Sequence, residues 1–227
     1  MAYTTFLLDL DHTLYDSDES ERLAYAHTAG SFGLDDADRH FATYVEINRA
    51  MWDAVERGEL DPTEVRHRRF EQFNREVGLD ADPYLMAEEF VWGLGAHGEL
   101  YPGVTELLAT LASQASLALV TNGLSDVQRS RLSRLGIADY FDAIIVSSEV
   151  GATKPRPEIF ELAFEQLGWP GKTSAVMVGD SLTSDIAGGR NYGIATCWYN
   201  RHGGMVDPAS APTHEIAHLA ELVTLLP

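Results

Sequence analysis

From about residue 99 onward, short apolar runs alternate with longer stretches of helical pattern. Each run is too short for a helix and is followed by Gly, Ser, Asp or Asn, and a similar run lies near the N-terminus. This alternation predicts an α/β fold in which helices cover both faces of a parallel sheet. The predicted strands are Phe6–Leu8, Leu117–Val120, Ala143–Val146, Ala175–Val178 and Ile194–Trp198. The predicted helices are Val104–Ala112, Asp126–Leu135, Pro157–Leu167 and Leu182–Asn191.

The segment from about residue 16 to residue 98 has a different pattern, with four helical stretches and no convincing strand. Asp35 can cap the second helix, and the pair Asp61-Pro62 is a good start for the third. Glycines fall where helices should stop, at Gly33, Gly58 and Gly78. The predicted helices span residues 18–31, 36–57, 61–77 and 82–93.

These two patterns predict two parts of the chain. Residues 1–15 and 99–227 form the sheet-containing core, and residues 16–98 form an all-α helical bundle inserted after the first strand. The two ends of the insert should lie close together at one edge of the sheet. An insert at that edge is well placed to cover a site.

Polar side chains follow four of the predicted strands. In an open α/β sheet, ligands bind outside the carboxyl ends of the strands, and right-handed crossovers bring these ends to one edge. Carboxylates, a hydroxyl and an ammonium group are therefore expected to converge there, which is the inventory of a site for a metal and a phosphate. The residues are Asp9, Asp11, Thr121, Asn122, Lys154, Asp180 and Asp185.

The four carboxylates, Asp9, Asp11, Asp180 and Asp185, would repel one another or take up protons without a cation. Hard oxygen ligands with no cysteine nearby favour magnesium (Mg²⁺) over zinc. A single aspartate after a strand is more often the N-cap of the next helix, and Asp185 fits that description too. The set as a whole favours a metal site.

Thr121 and Lys154 supply what a phosphoryl group needs. A hydroxyl and the neighbouring backbone N–H groups at a strand-to-helix turn donate to phosphoryl oxygens. A lysine ammonium neutralises charge that develops during phosphoryl transfer. Taken singly, such a threonine is usually a cap and such a lysine is usually a solvated surface charge. Their order along the chain favours the functional interpretation.

This set of motifs resembles the haloacid dehalogenase superfamily, whose four motifs are present here in order. They are residues 9–13, Thr121, Lys154 and residues 179–185. The resemblance covers the core and implies a Rossmann-like sheet. The insert matches the helical cap of the superfamily's first cap class only in position, size and helicity.

The resemblance implies a role for each motif residue. Asp9 corresponds to the nucleophile that forms an aspartyl-phosphate, and Asp11 to the general acid and base. The implied magnesium ligands are Asp9, the main-chain carbonyl of Asp11, and Asp180. Asp185 is implied as a further ligand or a supporting group. Thr121 and Lys154 correspond to the phosphoryl-binding pair, to which Asn122 adds a backbone N–H, and the bond from Lys154 to Pro155 is expected to be cis.

Other activities of the superfamily fit less well. The dehalogenases attack carbon, need no magnesium and lack an acid two residues after the nucleophile, so Asp11 argues against that activity. The sugar-phosphate mutases usually have Gly followed by Val or Ile where this chain has His12 and Thr13. A non-catalytic binding module would be expected to have lost at least one motif, and none is lost here.

A finer similarity links residues 148–155, 177–181 and 188–200 to the noncanonical pyrimidine nucleotidase branch of the superfamily. That branch removes the 5′-phosphate of pyrimidine nucleoside monophosphates. Phosphatases of sugar phosphates and of phosphoglycolate share much of the pattern. The resemblance therefore implies a phosphomonoester hydrolase and leaves these substrate classes open.

The charge and composition of the chain limit the classes of binding partner that are expected. The formal net charge of −19 repels nucleic acid and anionic lipid, so neither is an expected partner. A small phosphorylated metabolite requires a local cation instead. No apolar stretch spans a bilayer, no basic segment opens the chain, and Cys197 is the single cysteine, which together predict a cytoplasmic enzyme. Nothing in the sequence indicates the oligomeric state.

Two features of the insert have simple structural interpretations. The run Arg66-His67-Arg68-Arg69 is predicted to form a solvated helix face rather than an anion site. Trp52 and Trp92 could stack on a nucleobase, but aromatic residues in helices more often pack a bundle, which is the favoured interpretation.

Overall fold

The computed structural model describes residues 2–34 and 37–227. Its six strands, numbered in chain order, lie in one sheet in which every neighbouring pair is parallel. They are β1 (Thr5–Leu8), β2 (Ser116–Thr121), β3 (Ala143–Val146), β4 (Ala175–Gly179), β5 (Ala195–Tyr199) and β6 (His214–Ile216). The order across the sheet is β3-β2-β1-β4-β5-β6, so β1 is central and the chain switches direction beside it. The predicted α/β core is confirmed.

Nine α-helices are described, and none is long and apolar enough to cross a membrane. The first four are α1 (Ser17–Ser31), α2 (Ala37–Glu56), α3 (Pro62–Val77) and α4 (Pro83–Ala96), called the cap helices below. The others are α5 (Val104–Ala112), α6 (Ser125–Leu135), α7 (Ser147–Val150), α8 (Pro157–Gln166) and α9 (Ala187–Tyr192).

The sheet is central because its strands are apolar on both faces. All four residues of β1 are buried. Phe6 and Leu8 pack with α5 and the C-terminal turns on one face, while Leu7 packs with α8 and α9 on the other. This double burial holds the carboxyl end of β1 in a fixed place between β2 and β4.

The structure departs from the predicted elements after β4 and near the C-terminus. The predicted helix 182–191 begins as a π-helical turn, because the N–H groups of both Asp185 and Ile186 donate to the carbonyl of Ser181. Strand β6 was not predicted, since only Ile216 of its three residues is buried and so short a segment has no readable period. The helix α7 was also not predicted, because its four residues are too few to show a helical period.

The cap helices surround their own aromatic cluster, in which Tyr44 contacts Tyr25, Phe70, Phe73 and Phe90. The carboxylates of Asp16, Asp61 and Asp82 accept hydrogen bonds from the first turns of α1, α3 and α4. The predicted cap at Asp35 lies outside the described residues. These features support the division of the chain into residues 16–98 and residues 1–15 with 99–227, which we keep as a proposal.

Candidate active site

The loop after β1 carries three side chains of the site. Asp9 continues the strand by one residue, since its N–H donates to the carbonyl of Val178. His12 then adopts a left-handed conformation (φ 59°), which is uncommon for a residue with a side chain. Its N–H donates to the carbonyl of Tyr15 and closes a tight turn. This turn brings Thr13 back beside Asp9 and directs Asp11 elsewhere, toward Ser17 and Arg131.

A buried lysine lies between two aspartates. The ammonium Nζ of Lys154 is 2.5 Å from Oδ1 of Asp9 and 2.7 Å from Oδ1 of Asp185. The amide of Asn122 braces the lysine, because it accepts from the backbone N–H of Lys154 (2.9 Å) and donates to its carbonyl (3.0 Å). The Lys154–Pro155 bond is cis, as the resemblance implied. The residues that follow β1, β2 and β4 thus meet at Lys154, with Asp9 and Asp185 at its ammonium group and Asn122 at its backbone.

The turn after β4 brings two carboxylates to the same place. A side chain at Gly179 would clash with Asp185, whose Oδ2 lies 2.1 Å from the position of a Cβ atom, so only glycine lets Asp185 fold beneath the strand. Oδ2 of Asp185 also accepts from the N–H of Ser181 (3.0 Å). Both oxygens of Asp185 therefore have donors. The hydroxyl of Thr13 lies 3.3 Å from an oxygen of Asp9 and from an oxygen of Asp180 and links the two strand ends.

The carboxylate of Asp11 points away from this cluster. Its Oδ1 accepts from the hydroxyl of Ser17 (2.6 Å) and from Nη1 of Arg131 (2.7 Å), and its Oδ2 accepts from Nε2 of Gln128 (2.6 Å). Burial alone would raise the pKa of Asp11, but the Arg131 guanidinium and these hydrogen bonds outweigh it and lower the pKa.

Thr121 is fully buried at the end of β2, behind the cavity wall. Its Oγ1 accepts from Nε2 of Gln128 (2.9 Å), the same nitrogen that donates to Asp11. A hydroxyl that accepts one hydrogen bond keeps its own O–H for donation. Gln128 therefore connects the residue predicted to bind phosphoryl oxygens with the residue predicted to transfer protons.

Three carboxylates of the site fit a divalent cation. One oxygen each of Asp9, Asp180 and Asp185 lies within 4.8 Å of the others. Burial raises the pKa of each of the three, and the neighbouring carboxylates add to this, although Lys154 opposes it. When ionised, the carboxylates of Asp9, Asp180 and Asp185 would face one buried cation, Lys154, which leaves two negative charges. One divalent cation balances the two remaining negative charges, and oxygen ligands suit magnesium.

A cavity of about 400 Å³ separates this cluster from the cap helices, within the usual range of small-molecule sites. Asp9, Asp11, Asn122, Lys154 and Asp180 lie on its core wall. The polar and aromatic side chains of its cap wall are Ser17, Asp18, Glu21, Asn48, Arg49, Trp52, Asp53, Glu56 and Arg69.

Sequence reasoning missed the residues that support the predicted ones. Arg131 and Gln128 contact Asp11 from α6, and the only signal was a pair of polar residues three apart on a helix face that also buries Val127 and Leu132. The hydroxyl of Thr13 was part of a recognised motif, but no role was predicted for it.

Two interpretations of the insert were wrong. Arg69 is not on a solvated face, because it is only 2% exposed and its guanidinium carbon lies 4.6 Å from the centre of the Phe90 ring. Trp92 does not pack inside the bundle, because it is 57% exposed. Trp52 is half-buried on the cavity wall.

Comparisons with known proteins agree with this geometry. A family model described as haloacid dehalogenase-like hydrolase matches residues 3–193. The pyrimidine 5′-nucleotidase YjjG of Escherichia coli (strain K12) is 34% identical over 228 residues, covering 100% of this chain and 99% of that protein. The pyrimidine 5′-nucleotidase PynA of Streptococcus pneumoniae is 32% identical over 227 residues, covering 100% of this chain and 96% of that protein.

A solved structure resembles the whole chain as well. The putative HAD-hydrolase YfnB from Bacillus subtilis, whose crystal structure is bound to magnesium, matches with a TM-score of 0.91 and 34% identity, covering 100% of this chain and 99% of that one. Both the strand-end motifs and these relatives lead to the same assignment. The chain belongs to the haloacid dehalogenase-like hydrolase family and is a phosphatase of that family.

Proposed function

We propose that this phosphatase hydrolyses pyrimidine nucleoside 5′-monophosphates with magnesium, through a phosphoryl group carried on Asp9. The observation that carries the proposal is the meeting of Asp9 and Lys154 at 2.5 Å on the wall of a cavity that also exposes Asp11. A nucleophile, a cation and a proton donor thus face one volume of substrate size. The competing substrates are sugar phosphates and phosphoglycolate.

The chemistry follows from the side chains. A carboxylate oxygen of Asp9 attacks phosphorus, the bond from phosphorus to the leaving oxygen breaks, and Asp11 gives that oxygen a proton. Water then attacks phosphorus while Asp11 takes its proton, and the bond to Asp9 breaks to release inorganic phosphate. Lys154 neutralises charge on the phosphoryl oxygens, and the hydroxyl of Thr121 serves as a further donor.

Magnesium would be held by Asp9, Asp180 and the main-chain carbonyl of Asp11, and when bound it would neutralise the charge of the phosphoryl oxygens. Asp185 acts in our proposal by holding Lys154, because both of its oxygens already have donors. Ordering these groups before the reaction is expected to supply most of the rate enhancement.

The cap wall favours an uncharged leaving group. Asp18, Glu21, Asp53 and Glu56 contribute four carboxylates, whereas only Arg49 and Arg69 contribute cations. The charge of Arg69 is buried against aromatic rings. Burial also raises the pKa of Glu56, so a further anion beside it would be unfavourable. A nucleoside is uncharged and suits this wall, while the carboxylate of phosphoglycolate does not.

Trp52 provides the surface on which a nucleobase can stack. It lies on the cap wall of the cavity and is half-buried, so one part of the indole remains accessible. Stacking of a base on an aromatic ring typically contributes about 1–3 kcal/mol. We therefore expect a base to increase kcat/KM above that of the bare sugar phosphate.

Phosphate release from matched substrates tests the proposal. Uridine 5′-monophosphate and ribose 5-phosphate present the same reacting group, so their ratio isolates the base. We expect at least about a tenfold higher kcat/KM for the nucleotide, little activity on phosphoglycolate, and loss of all activity in EDTA. Equal values for the nucleotide and the sugar phosphate would contradict the nucleotidase assignment, and full activity in EDTA would contradict the metal.

Two tryptophan variants test whether Trp52 contacts the base of the substrate. Trp52→Leu should lower kcat/KM for uridine 5′-monophosphate by about tenfold and leave that for ribose 5-phosphate within about twofold. Trp92→Leu serves as the control, because Trp92 is exposed and contacts His27 and His97 rather than the cavity. If both variants act alike, Trp52 does not contact the base.

A further inference from the structure

Arg131 joins the proposed proton donor to the cap helices. Its Nη1 donates to Asp11 (2.7 Å) and to Oε1 of Gln128 (3.1 Å), while its Nε donates to the carbonyl of Leu94 in α4 (3.1 Å). Its Nη2 lies 3.3 Å from the hydroxyl of Ser20 in α1. Each guanidinium nitrogen thus has a partner, and two of the three reach the cap helices.

An aromatic ring also contacts the flat face of the Arg131 guanidinium. Its central carbon lies 4.5 Å from the ring centre of Tyr15, whose hydroxyl donates to Ser20 (2.8 Å). Arg131 is only 4% exposed. A buried arginine with hydrogen bonds at all three nitrogens and an aromatic ring at its face has one accessible orientation. Its position therefore defines the position of whatever it holds.

Arg131 holds the carboxylate of Asp11, whose two oxygens accept different numbers of hydrogen bonds. Oδ1 accepts from both Ser17 and Arg131, whereas Oδ2 accepts from Gln128 alone. A carboxylate has about four lone-pair positions, two on each oxygen. The arrangement leaves one lone pair, on Oδ2, to carry the proton that the leaving oxygen receives.

We propose that Arg131 is a positioning residue that orients Oδ2 of Asp11 toward the leaving oxygen. This orientation depends on the contacts that Arg131 makes with α1 and α4. The inference rests on the proposed role of Asp11 as the acid and base. Arg131 does not contact the substrate in this proposal, and its effect is exerted through Asp11. Its loss should therefore harm proton transfer more than binding.

The leaving group provides a readout that a purely structural role would not change. Phenolate is a poorer leaving group than 4-nitrophenolate, so hydrolysis of phenyl phosphate depends more on proton donation than hydrolysis of 4-nitrophenyl phosphate. Arg131→Lys keeps the charge but cannot make the same set of hydrogen bonds. We expect kcat/KM, which reports the first step and not the hydrolysis step that both substrates share, to fall by about 100-fold for phenyl phosphate and by less than about fivefold for 4-nitrophenyl phosphate.

Arg134→Lys is the matched control. Arg134 lies one turn further along α6 and also reaches the end of α4, where its Nε donates to the carbonyl of Gly95 (3.0 Å) and its Nη2 to that of His97 (3.3 Å). It makes no contact with Asp11 among the hydrogen bonds of the described residues. Its variant should leave the ratio of the two substrates unchanged.

The outcomes separate this inference from the proposed function. Equal losses on the two substrates, or the same change of ratio in Arg134→Lys, would overturn the role of Arg131 while leaving the phosphatase mechanism intact. If Arg131→Lys shows no cooperative thermal unfolding, Ser17→Ala replaces it, since Ser17 donates to the same oxygen of Asp11 (2.6 Å). That variant should shift the ratio in the same direction by a smaller factor, and an unchanged ratio would reject the inference.

Discussion

The edge of the sheet that carries the candidate active site and the cap helices both bury charged groups, but they differ in how these groups are paired. At the sheet edge, Lys154 contacts two carboxylates and Arg131 contacts a third. In the cap, Arg69 lies among aromatic rings, and its Nε and Nη2 make no hydrogen bond in the part of the chain that the structure describes. Its Nη1 donates to Asn48 (3.1 Å).

The difference shows how each region is determined. Parallel strands must end together, so backbone topology alone brings the ends of β1, β2 and β4 to one edge. The polar groups of the cap come from three separate helices, with Glu21 in α1, Asn48 in α2 and Arg69 in α3. Only side-chain packing brings them together. The site residues of the sheet edge can therefore be predicted from the sequence, whereas the contacts among the polar residues of the cap are seen only in the structure.

The largest expected effect tests whether the sheet edge carries the reaction. Asp9→Asn keeps the size of the side chain and removes the nucleophile, so kcat should fall by about 10⁴-fold or more. Thermal unfolding should stay cooperative, because the variant also removes one of the mutually repelling carboxylates. Asp139→Asn, at an exposed aspartate, is the control and should retain full activity. Appreciable magnesium-dependent turnover by Asp9→Asn would exclude the covalent mechanism.

The same contrast explains what could be predicted from sequence. Five of the six strands were predicted because each is an apolar run with a polar end. The buried site residues of these ends, such as Asp9 and Lys154, followed from the topology. Arg131 was not predicted, because a single arginine on an amphipathic helix looks the same whether it faces solvent or a carboxylate.

The cap shows where sequence patterns mislead. Four consecutive residues of an α-helix cover about 300° of its circumference, so a run such as 66–69 must turn one member toward the interior. That member is Arg69, whereas Arg66 and Arg68 pair with Asp126 and Glu64 at the surface. The charges of the run suggested that its side chains face solvent, but the helical period turns Arg69 toward the interior.

The next largest effect tests the buried arginine of the cap. Arg69→Met should lower the free energy of unfolding by about 3 kcal/mol, because half-buried Glu21 loses the cation that lowers its pKa against the effect of burial. Chemical denaturation measures this. Arg68→Met, at the exposed neighbour, should cost less than about 0.5 kcal/mol.

A second substitution identifies the cause of that loss. Adding Glu21→Gln to Arg69→Met removes the unpaired charge and should recover part of the stability, which a double-mutant cycle quantifies. If the double variant is as unstable as the sum of the single variants, the loss arises from packing against Phe70 and Phe90 instead.

A smaller effect concerns the metal at the sheet edge and is independent of activity. Magnesium at about 100 times its dissociation constant should stabilise the wild-type protein by about 2.7 kcal/mol, measured as a rise in the unfolding temperature. Asp180→Asn should lose most of this rise, since it removes one of three clustered carboxylates. In EDTA the variant should be at least as stable as wild type, because burial and Asp9 disfavour the ionised carboxylate there. An unchanged response to magnesium would exclude Asp180 as a ligand.

The smallest effect concerns a local signal in the cap that the sequence did reveal. Asp61 caps α3 by accepting from the N–H of Thr63 (2.8 Å), and Glu64 completes the capping box. Asp61→Ala should therefore cost about 1 kcal/mol of stability, and Asp61→Ser, which keeps an acceptor, should cost less. Neither should alter kcat, because Asp61 is exposed and lies outside the cavity wall. A lower kcat in Asp61→Ala with normal kcat in Asp61→Ser would mean that the start of α3 is coupled to the sheet edge, and the two regions would then have to be treated as one.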